Sequence, residues 1–552
     1  MNQDTILLCA GAPVIKGLGN NFAVSNAMIP VNGKPVLGRI LDDLLQKGID
    51  SVIIVHQAAD FHLSNFIHIA YKDRLSIKQV PLLSDGNIVE SLRKGLEVSE
   101  AKSIRVILGD TLITDPLEVD QKDYLYIHPV KNASRWCIAQ TNEAGFIVSF
   151  FNKQENLNSG LLAVCGHYFF NDAELLKIAV NNTASKNLFN ISDVLTLYNQ
   201  EKPIFALPAK NWFDFGNIDT FFTSKTKLLT GRYFNQLEID PVLNTITKVS
   251  LFNEKLKNEL DWYLLIPEEL KVLTPRIIDK EIKNSKVKIV QEYYGYPTLA
   301  EIFLYYNLHP DVWSFILNNL FLIHERIKSY KSTLSKKAIS SVYVDKTKER
   351  FETLVKDAYW KNLFEKETII VNGIELKNIK LLQDFLFNEA EALSEHAEVT
   401  IIHGDFCFSN ILFDLSTLIT RIIDPRGSFG EVGIYGDARY DIAKLRHSVC
   451  GLYDFLIADL FDLNEFTPGK FTLKIYKPEE SKKISAEFDR ILSERGYNLR
   501  EIKLIESLLF LSMLPLHKEN PKRQKAMFLR GISLLNELEK ENIVNYENSN
   551  RP

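Results

Sequence analysis

Along the first 225 residues, short runs of consecutive apolar side chains alternate with stretches whose apolar positions recur every three to four residues. Thr5–Cys9, Ser51–Val55, Ile104–Leu108 and Tyr124–Ile127 read as buried strands, and Pro35–Lys47 and Asn87–Val98 as helices between them. Continuous rather than alternating apolar strands separated by helices predict an α/β domain around a mostly parallel sheet. Beyond about residue 230 the pattern changes. Thr245–Leu251 and Val287–Tyr293 read as strands, with an amphipathic stretch, Glu254–Tyr263, between them. Helical periodicity then covers Thr298–Tyr305, Val312–Ser329, Thr347–Leu363, Leu376–His396 and Leu499–Leu514, and a polar, frayed tail is expected after Glu541. The pattern predicts two domains, 1–230 and 231–545. The second divides into a small β-containing lobe at about 235–295 and a helical lobe at about 296–545.

Composition changes this picture little. The chain has 552 residues, 46% of them hydrophobic and 24% charged, enough for well-buried cores. Its net charge of −5 offers no basic footprint for nucleic acid. Five dispersed cysteines without a Cys-x-x-Cys pair suit reduced thiols, a cytoplasmic location and no zinc site. Met1-Asn-Gln-Asp lacks the basic region of a signal peptide, and no apolar run is long enough to insert in a membrane. The 34 Phe and 21 Tyr fit core packing rather than a cofactor box.

Candidate chemistry is densest in the second domain. His403-Gly-Asp405 is followed by Asn410, then by an apolar run ending at Asp424-Pro-Arg426. Phosphoryl transfer needs a carboxylate to orient the attacking hydroxyl, and an amide plus a second carboxylate to hold Mg²⁺ on the nucleotide phosphates. Lys248 lies in a strand and Glu259 in the helical stretch after it, the arrangement that positions α- and β-phosphates. Alone, a His-Gly-Asp is usually a turn and a strand lysine usually a solvated charge. The order of the whole set is what distinguishes it. The loop, together with Gly436-Asp-Ala-Arg-Tyr-Asp441 and Gln291-Glu292-Tyr293, resembles the aminoglycoside phosphotransferase and choline kinase family over roughly residues 240–530.

That resemblance implies a bilobal protein-kinase-like α+β domain. It implies Asp405 as the base or orienting group, Lys248 and Glu259 as its catalytic ion pair, and Asn410 and Asp424 as metal ligands. Glu292 and Tyr293 would stand at the adenine-holding hinge, and Asp441 in a structural place. Asp-Pro-Arg-Gly departs from the residues often found after the metal-binding Asp, and no Gly-x-Gly-x-x-Gly precedes Lys248. Arg426 and His517 are substrate-binding candidates. The bland reading of His517 is a surface or capped histidine, and Lys518–Lys525 reads as a solvated face.

In the first domain Leu7-Leu-Cys-Ala10-Gly11, Met28-Ile-Pro-Val-Asn-Gly-Lys34-Pro, Val106-Ile-Leu-Gly-Asp110, Cys165-Gly166-His-Tyr-Phe and Trp212-Phe-Asp214-Phe-Gly resemble sugar-nucleotide pyrophosphorylases. The resemblance covers about residues 3–225. It implies a Rossmann-like, GT-A-like nucleotidyltransferase fold, with the nucleotide at the carboxyl ends of the strands. It also implies Mg²⁺ on Asp110 and Asp214. Ala10, Gly11, Lys16, Asp85, Gly86 and Asn87 would lie around the nucleotide, and Lys34, Gly166 and Trp212 around the substrate. The alternative for Asp110 and Asp214 is that they merely cap strand ends. The family's loop Arg is absent, and Asn26 stands where its Lys is usual. Losing both cations leaves transition-state charge less compensated.

Together the halves imply a bifunctional enzyme. It would phosphorylate a small polar substrate, a sugar above all, with ATP and then join the phosphate to a nucleotidyl group from a second nucleoside triphosphate. The product would be an activated precursor for capsule, lipopolysaccharide or another surface glycan. Three alternatives stay open: a choline-type kinase and cytidylyltransferase acting on an amino-alcohol, a kinase whose first domain only binds, and a resistance kinase.

Overall fold

The computed structural model describes residues 3–11, 25–83, 87–117, 122–131, 133–152, 160–216, 218–228, 235–250, 253–283, 286–306, 308–478 and 480–549. The chain divides into two compact units, Met1–Leu229 and Thr230–Pro552.

In the first unit the apolar runs form a nine-stranded sheet among the described residues. Ser76–Leu82, Ser51–Gln57, Gln3–Leu8 and Ser103–Leu108 run parallel, side by side. Ile6, Leu7, Val55 and Val106 are buried because helices cover the sheet faces, which is why these strands read as unbroken apolar runs. Leu162–Phe170 then joins Ser103–Leu108 antiparallel and also pairs with Tyr124–Pro129 and Cys137–Thr141. The sheet is therefore mixed, not mostly parallel. Periodicity reports burial, and a strand buried on both faces looks alike in either orientation. The helices Val36–Gln46 and Ile88–Glu97 form as their periodicity predicts. Asn87 starts the second by accepting the amide proton of Glu90 at 3.0 Å.

Register then places chemistry. Leu8 pairs with Leu108, so Cys9-Ala10-Gly11 and Gly109-Asp110 leave the sheet together at its carboxyl edge. Gly109 is required there: a Cβ on it would stand 2.7 Å from Cys9 Sγ and 3.0 Å from the Leu8 carbonyl oxygen.

The second unit opens with a four-stranded antiparallel sheet in the order Asn235–Asp240, Thr245–Ser250, Lys286–Glu292, Ile277–Lys283. The helix Asn253–Leu265 lays Leu256 and Leu260 on Val287 and Ile289 of that sheet. A helical body follows, centred on Ala438–Val449, which is buried along its whole length. Among the described residues no helix is long and apolar enough to cross a membrane.

Three features of this unit differ from expectation. The helix expected over Thr347–Leu363 is two helices, Lys346–Leu354 and Ala358–Phe364, because Asp357 leaves the helical conformation to cap the second. Leu376 and Lys377 belong to a strand, and the helix starts only after the Asn378 cap. That strand, Ile374–Lys377, joins Thr368–Val371, Lys470–Ile475 and Phe461–Thr467 in a sheet inside the expected helical lobe. The segment read as a frayed tail continues the helix Pro521–Ser549.

Candidate functional site

At the carboxyl edge of the first unit's sheet, the strand Trp212–Asp214 pairs antiparallel with Thr111–Ile113, setting Asp214 opposite Thr111, next to Asp110. The Phe215 amide donates to the Asp110 carbonyl at 2.9 Å, fixing the two chain segments. The carboxylates converge over Gly216: a Cβ there would lie 2.9 Å from Asp110 Oδ2 and 3.2 Å from Asp214 Oδ1. Asp214 accepts from the Gly216 amide at 3.0 Å, Thr220 Oγ1 at 2.8 Å and Trp136 Nε1 at 3.3 Å. Burial, then the neighbouring Asp214 charge, raises Asp110 to about 6, although the Asn26 side chain donates to it. Two crowded carboxylates that each bring one oxygen to the same point fit a divalent cation, which would relieve their repulsion.

A pocket lies against this edge, lined among others by Ala10, Gly11, Asn26, Ile88, Ser91 and Asp110. Among the described residues nothing lies within 4 Å of where a Cβ on Gly11 would stand, so backbone there can meet a bulky anion. Trp212 braces the site, donating from Nε1 to Thr111 Oγ1 at 2.8 Å, which in turn donates to the Cys165 carbonyl. Gly166 has φ +77° and packs against Leu108 and Thr111. Lys34 is not brought to the carboxylates: its ammonium is paired with Asp42 and sits over the Tyr71 ring. Lys16, Asp85 and Gly86 lie outside the described residues.

The second unit gathers its candidates through two antiparallel strand pairs. Val399–Ile401 pairs with Tyr435–Asp437, and Ile411–Phe413 with Thr420–Ile422, so the 403–410 loop and Asp424 emerge side by side. The Ile423 amide donates to the Asn410 carbonyl at 2.9 Å. Buried Asp441 holds the loop by accepting the His403 and Gly404 amides at 2.7 and 2.8 Å. His403 is fully buried and desolvated, which lowers it to about 4, so it is neutral and braces the loop.

Asp405 accepts from Asn410 Nδ2 at 2.9 Å and pairs with Lys444 Nζ at 2.8 Å. Burial works against its charge. Its side chain is still 40% exposed, and the Lys444 charge wins, holding it at about 2. With its nitrogen spent on Asp405, Asn410 keeps its carbonyl oxygen for a metal.

Lys248 bonds Glu259 Oε1 at 2.7 Å and is paired with Asp424 as well. Burial alone would lower Lys248, but Asp424 and Glu259 together raise it well above its usual range. Burial raises Glu259, with Asp424 adding to it against the pull of Lys248. Asp424 has φ +58°, an uncommon conformation for Asp, and its amide donates to Tyr263 Oη at 3.1 Å. Its side chain is half-exposed, so with the Asn410 oxygen it fits a cation.

Two further sets of candidates are engaged elsewhere in the protein. The amides of Glu292 and Tyr293 are both used inside the protein, donating to the carbonyls of Arg276 and Asn244 at 3.0 and 2.7 Å. The Glu292 carboxylate accepts from the Arg276 amide and Tyr294 Oη. Contact with an adenine at these two residues would therefore fall to their carbonyls. His517 lies in the turn Leu514–His517 beside Glu519, with no contact to Asp405 among the described residues; the buried His447 feels the charges of both His517 and Asp405. The sequence reading missed Lys444, Tyr263, Tyr440, Trp136 and Thr220. Lys444 carries a usable signal, one helical turn after Asp441 on a helix buried all round, where a lysine needs a partner.

A family model described as nucleotidyl transferase matches residues 22–231. No curated protein matches the chain. Solved structures that it resembles include a putative glucose-1-phosphate thymidylyltransferase from Bacillus anthracis in complex with a sucrose, at 17% identity and TM-score 0.37, covering 42% of this chain and 98% of that one. Others are a UDP-glucose pyrophosphorylase complexed with UDP-glucose (18%, TM-score 0.35, 41% and 98%) and CTP:phosphocholine cytidylyltransferase from Streptococcus pneumoniae (13%, TM-score 0.34, 42% and 100%). The first unit thus carries a nucleotidyltransferase domain.

Proposed function

Proceeding from that domain, we propose that the chain is a bifunctional enzyme: the second unit phosphorylates a hydroxyl of a small polar compound, a sugar above all, and the first transfers a nucleotidyl group to the phosphate so made. The observation that carries the pairing is the convergence of Asp110 and Asp214 over Gly216 in one unit, and of Lys248 on Glu259 and Asp424, beside Asp405 and Asn410, in the other. Each is a carboxylate set suited to nucleotide phosphates with Mg²⁺.

In the second unit Lys248 meets the nucleotide phosphates, and Glu259 holds its ammonium in place. Asn410 and Asp424 would hold Mg²⁺, which neutralises phosphate charge when bound. Asp405, at about 2, is too weak a base to deprotonate an alcohol early. It orients the hydroxyl and accepts its proton as the bond to phosphorus forms. In the first unit the Gly11 backbone receives triphosphate, and Asp110 and Asp214 are the residues for Mg²⁺. The sugar phosphate oxygen attacks the α-phosphorus and pyrophosphate leaves. Lipopolysaccharide or capsule assembly, in the cytoplasm, would consume such a product.

A second reading has a specific basis. Asn26 brings Asp110 a neutral amide where the resemblance calls for a cation, so the first unit would bind without catalysing. One assay separates the readings: mass spectrometry of purified protein with ATP, CTP, GTP and UTP against a sugar pool, with pyrophosphate release followed in parallel. We expect a sugar phosphate and then its nucleotidyl derivative. Sugar phosphate without pyrophosphate, across all four nucleotides, favours the binding module; no phosphorylated sugar at all refutes the kinase assignment.

A further inference from the structure

The helix Lys346–Leu354 is entered through a π-helical segment, Ser341–Asp345, a distortion frequent at functional sites. It brings Lys346 within electrostatic reach of Tyr440, Arg426, Lys444 and Arg350. Tyr440 is buried between Phe429 and Tyr343, at ring distances of 5.2 and 6.3 Å, and its hydroxyl accepts from Arg426 at 3.0 Å. Lys444 is paired with Asp405. Three further cations thus act on Lys346, and the carboxylates near them, Asp405, Asp441 and Asp454, are all on the Lys444 side.

Among the described residues two of the four make no ion pair with a carboxylate. The Lys346 ammonium makes no hydrogen bond or ion pair among the described residues, and Arg350 Nε is buried without a partner. Tyr440, the largest single influence on Lys346, favours its charge, yet burial with Arg426, Lys444 and Arg350 together lower it below its usual range. A half-buried group of like charges is costly unless something anionic completes it. These side chains come from the helical body, not from the sheet that carries Lys248, so they lie on the Asp405 side of the site.

We infer that the compound phosphorylated at Asp405 carries an anionic group of its own, a carboxylate or a phosphate, seated on Lys346, Arg350 and Arg426. This rests on the kinase reading of the second unit and names its substrate class. The acceptor hydroxyl oxygen bonds to the γ-phosphorus of ATP, the bond to ADP breaks, and the hydroxyl proton passes by way of Asp405 to solvent. The same cations repel a quaternary amine such as choline, which discriminates against the amino-alcohol alternative.

The test uses the full chain with ATP and Mg²⁺ and four acceptors: glucose, glucuronate, glucose 6-phosphate and choline. An anionic acceptor is expected to exceed glucose in kcat/KM by ~10- to 100-fold, as a charged contact in a half-buried site allows. Glucuronate against glucose 6-phosphate tells carboxylate from phosphate. Lys346→Ala should raise KM for the anionic acceptor by about 10-fold and leave KM for ATP alone. A preference for choline or glucose overturns the inference, as does a rise confined to KM for ATP, which would give these cations to the nucleotide. If no acceptor is phosphorylated, the thermal shift produced by inorganic phosphate and by glycolate is compared between the parent chain and Lys346→Glu. A shift lost in the variant upholds the anion site and places the failure on phosphoryl transfer. An identical response in both overturns the site.

Discussion

Asp110 and Asp405 are both active-site candidates, yet their surroundings drive them apart. Burial beside Asp214 raises Asp110 to about 6, while Lys444 holds Asp405 at about 2. Nucleotidyl transfer should therefore fall as pH drops through about 6, because protonated Asp110 no longer attracts a cation, and added Mg²⁺ should move the midpoint down. Phosphoryl transfer should persist to lower pH. Stability follows the opposite sign. Asp110 binds its proton more tightly folded than unfolded, so its contribution is full below about 4 and lost as pH rises through about 6. Asp110→Asn should thus abolish nucleotidyl transfer yet stabilise the metal-free protein at pH 7.5, on the order of 1–2 kcal/mol after allowance for solvent screening. Melting curves in chelator at pH 5 and 7.5 check this: a variant that melts no higher than the parent at pH 7.5 refutes the assigned repulsion.

Elements position these residues, and here the sequence is uneven. The run from His403 to Asn410 is legible because one short loop carries the chemistry, and Asp424 follows one hairpin later. Lys346 and Arg350 are not legible, because they reach Tyr440 only through a helix nearly a hundred residues away and a π segment that shifts its phase. The use of the Glu292 and Tyr293 amides is illegible for a similar reason: a strand end looks alike whether or not neighbouring carbonyls take its amides. One contact between elements is testable. Gly427 has φ +62°, and a Cβ on it would lie 2.0 Å from the Asn258 carbonyl oxygen, one residue before Glu259. The loop after Asp424 thus presses on the backbone of the helix that carries Glu259. Gly427→Ala must strain φ and push that helix away, costing roughly 2–5 kcal/mol. Urea denaturation should show that loss, and phosphoryl transfer should fall with it as Lys248 loses Glu259. Wild-type turnover in a folded Gly427→Ala protein would show that the helix position does not matter.

At the scale of the whole molecule, each compact unit holds its own complete set of candidate groups: Asp110, Asp214 and the Gly11 edge lie within Met1–Leu229, and Lys248, Glu259, Asp405, Asn410 and Asp424 within Thr230–Pro552. None of the groups named for either reaction belongs to the other unit. The two steps should then be separable by point substitution and recoverable by mixing. Full-length Asp405→Asn should make no phosphorylated intermediate but should convert one that is supplied. Full-length Asp110→Asn should accumulate the intermediate and stop. Mixed together, the two variants should form the final nucleotidyl product through the free intermediate, after a lag that shortens as the Asp110→Asn share rises. A lag of that kind is the signature of an intermediate that builds up in solution before the second enzyme saturates. Product from the parent chain but none from the mixture, with each variant active in its own half-reaction, would mean that the intermediate does not leave the polypeptide that makes it. Absence of the second half-reaction in Asp405→Asn, with the intermediate supplied, would instead leave the first unit as a binding module.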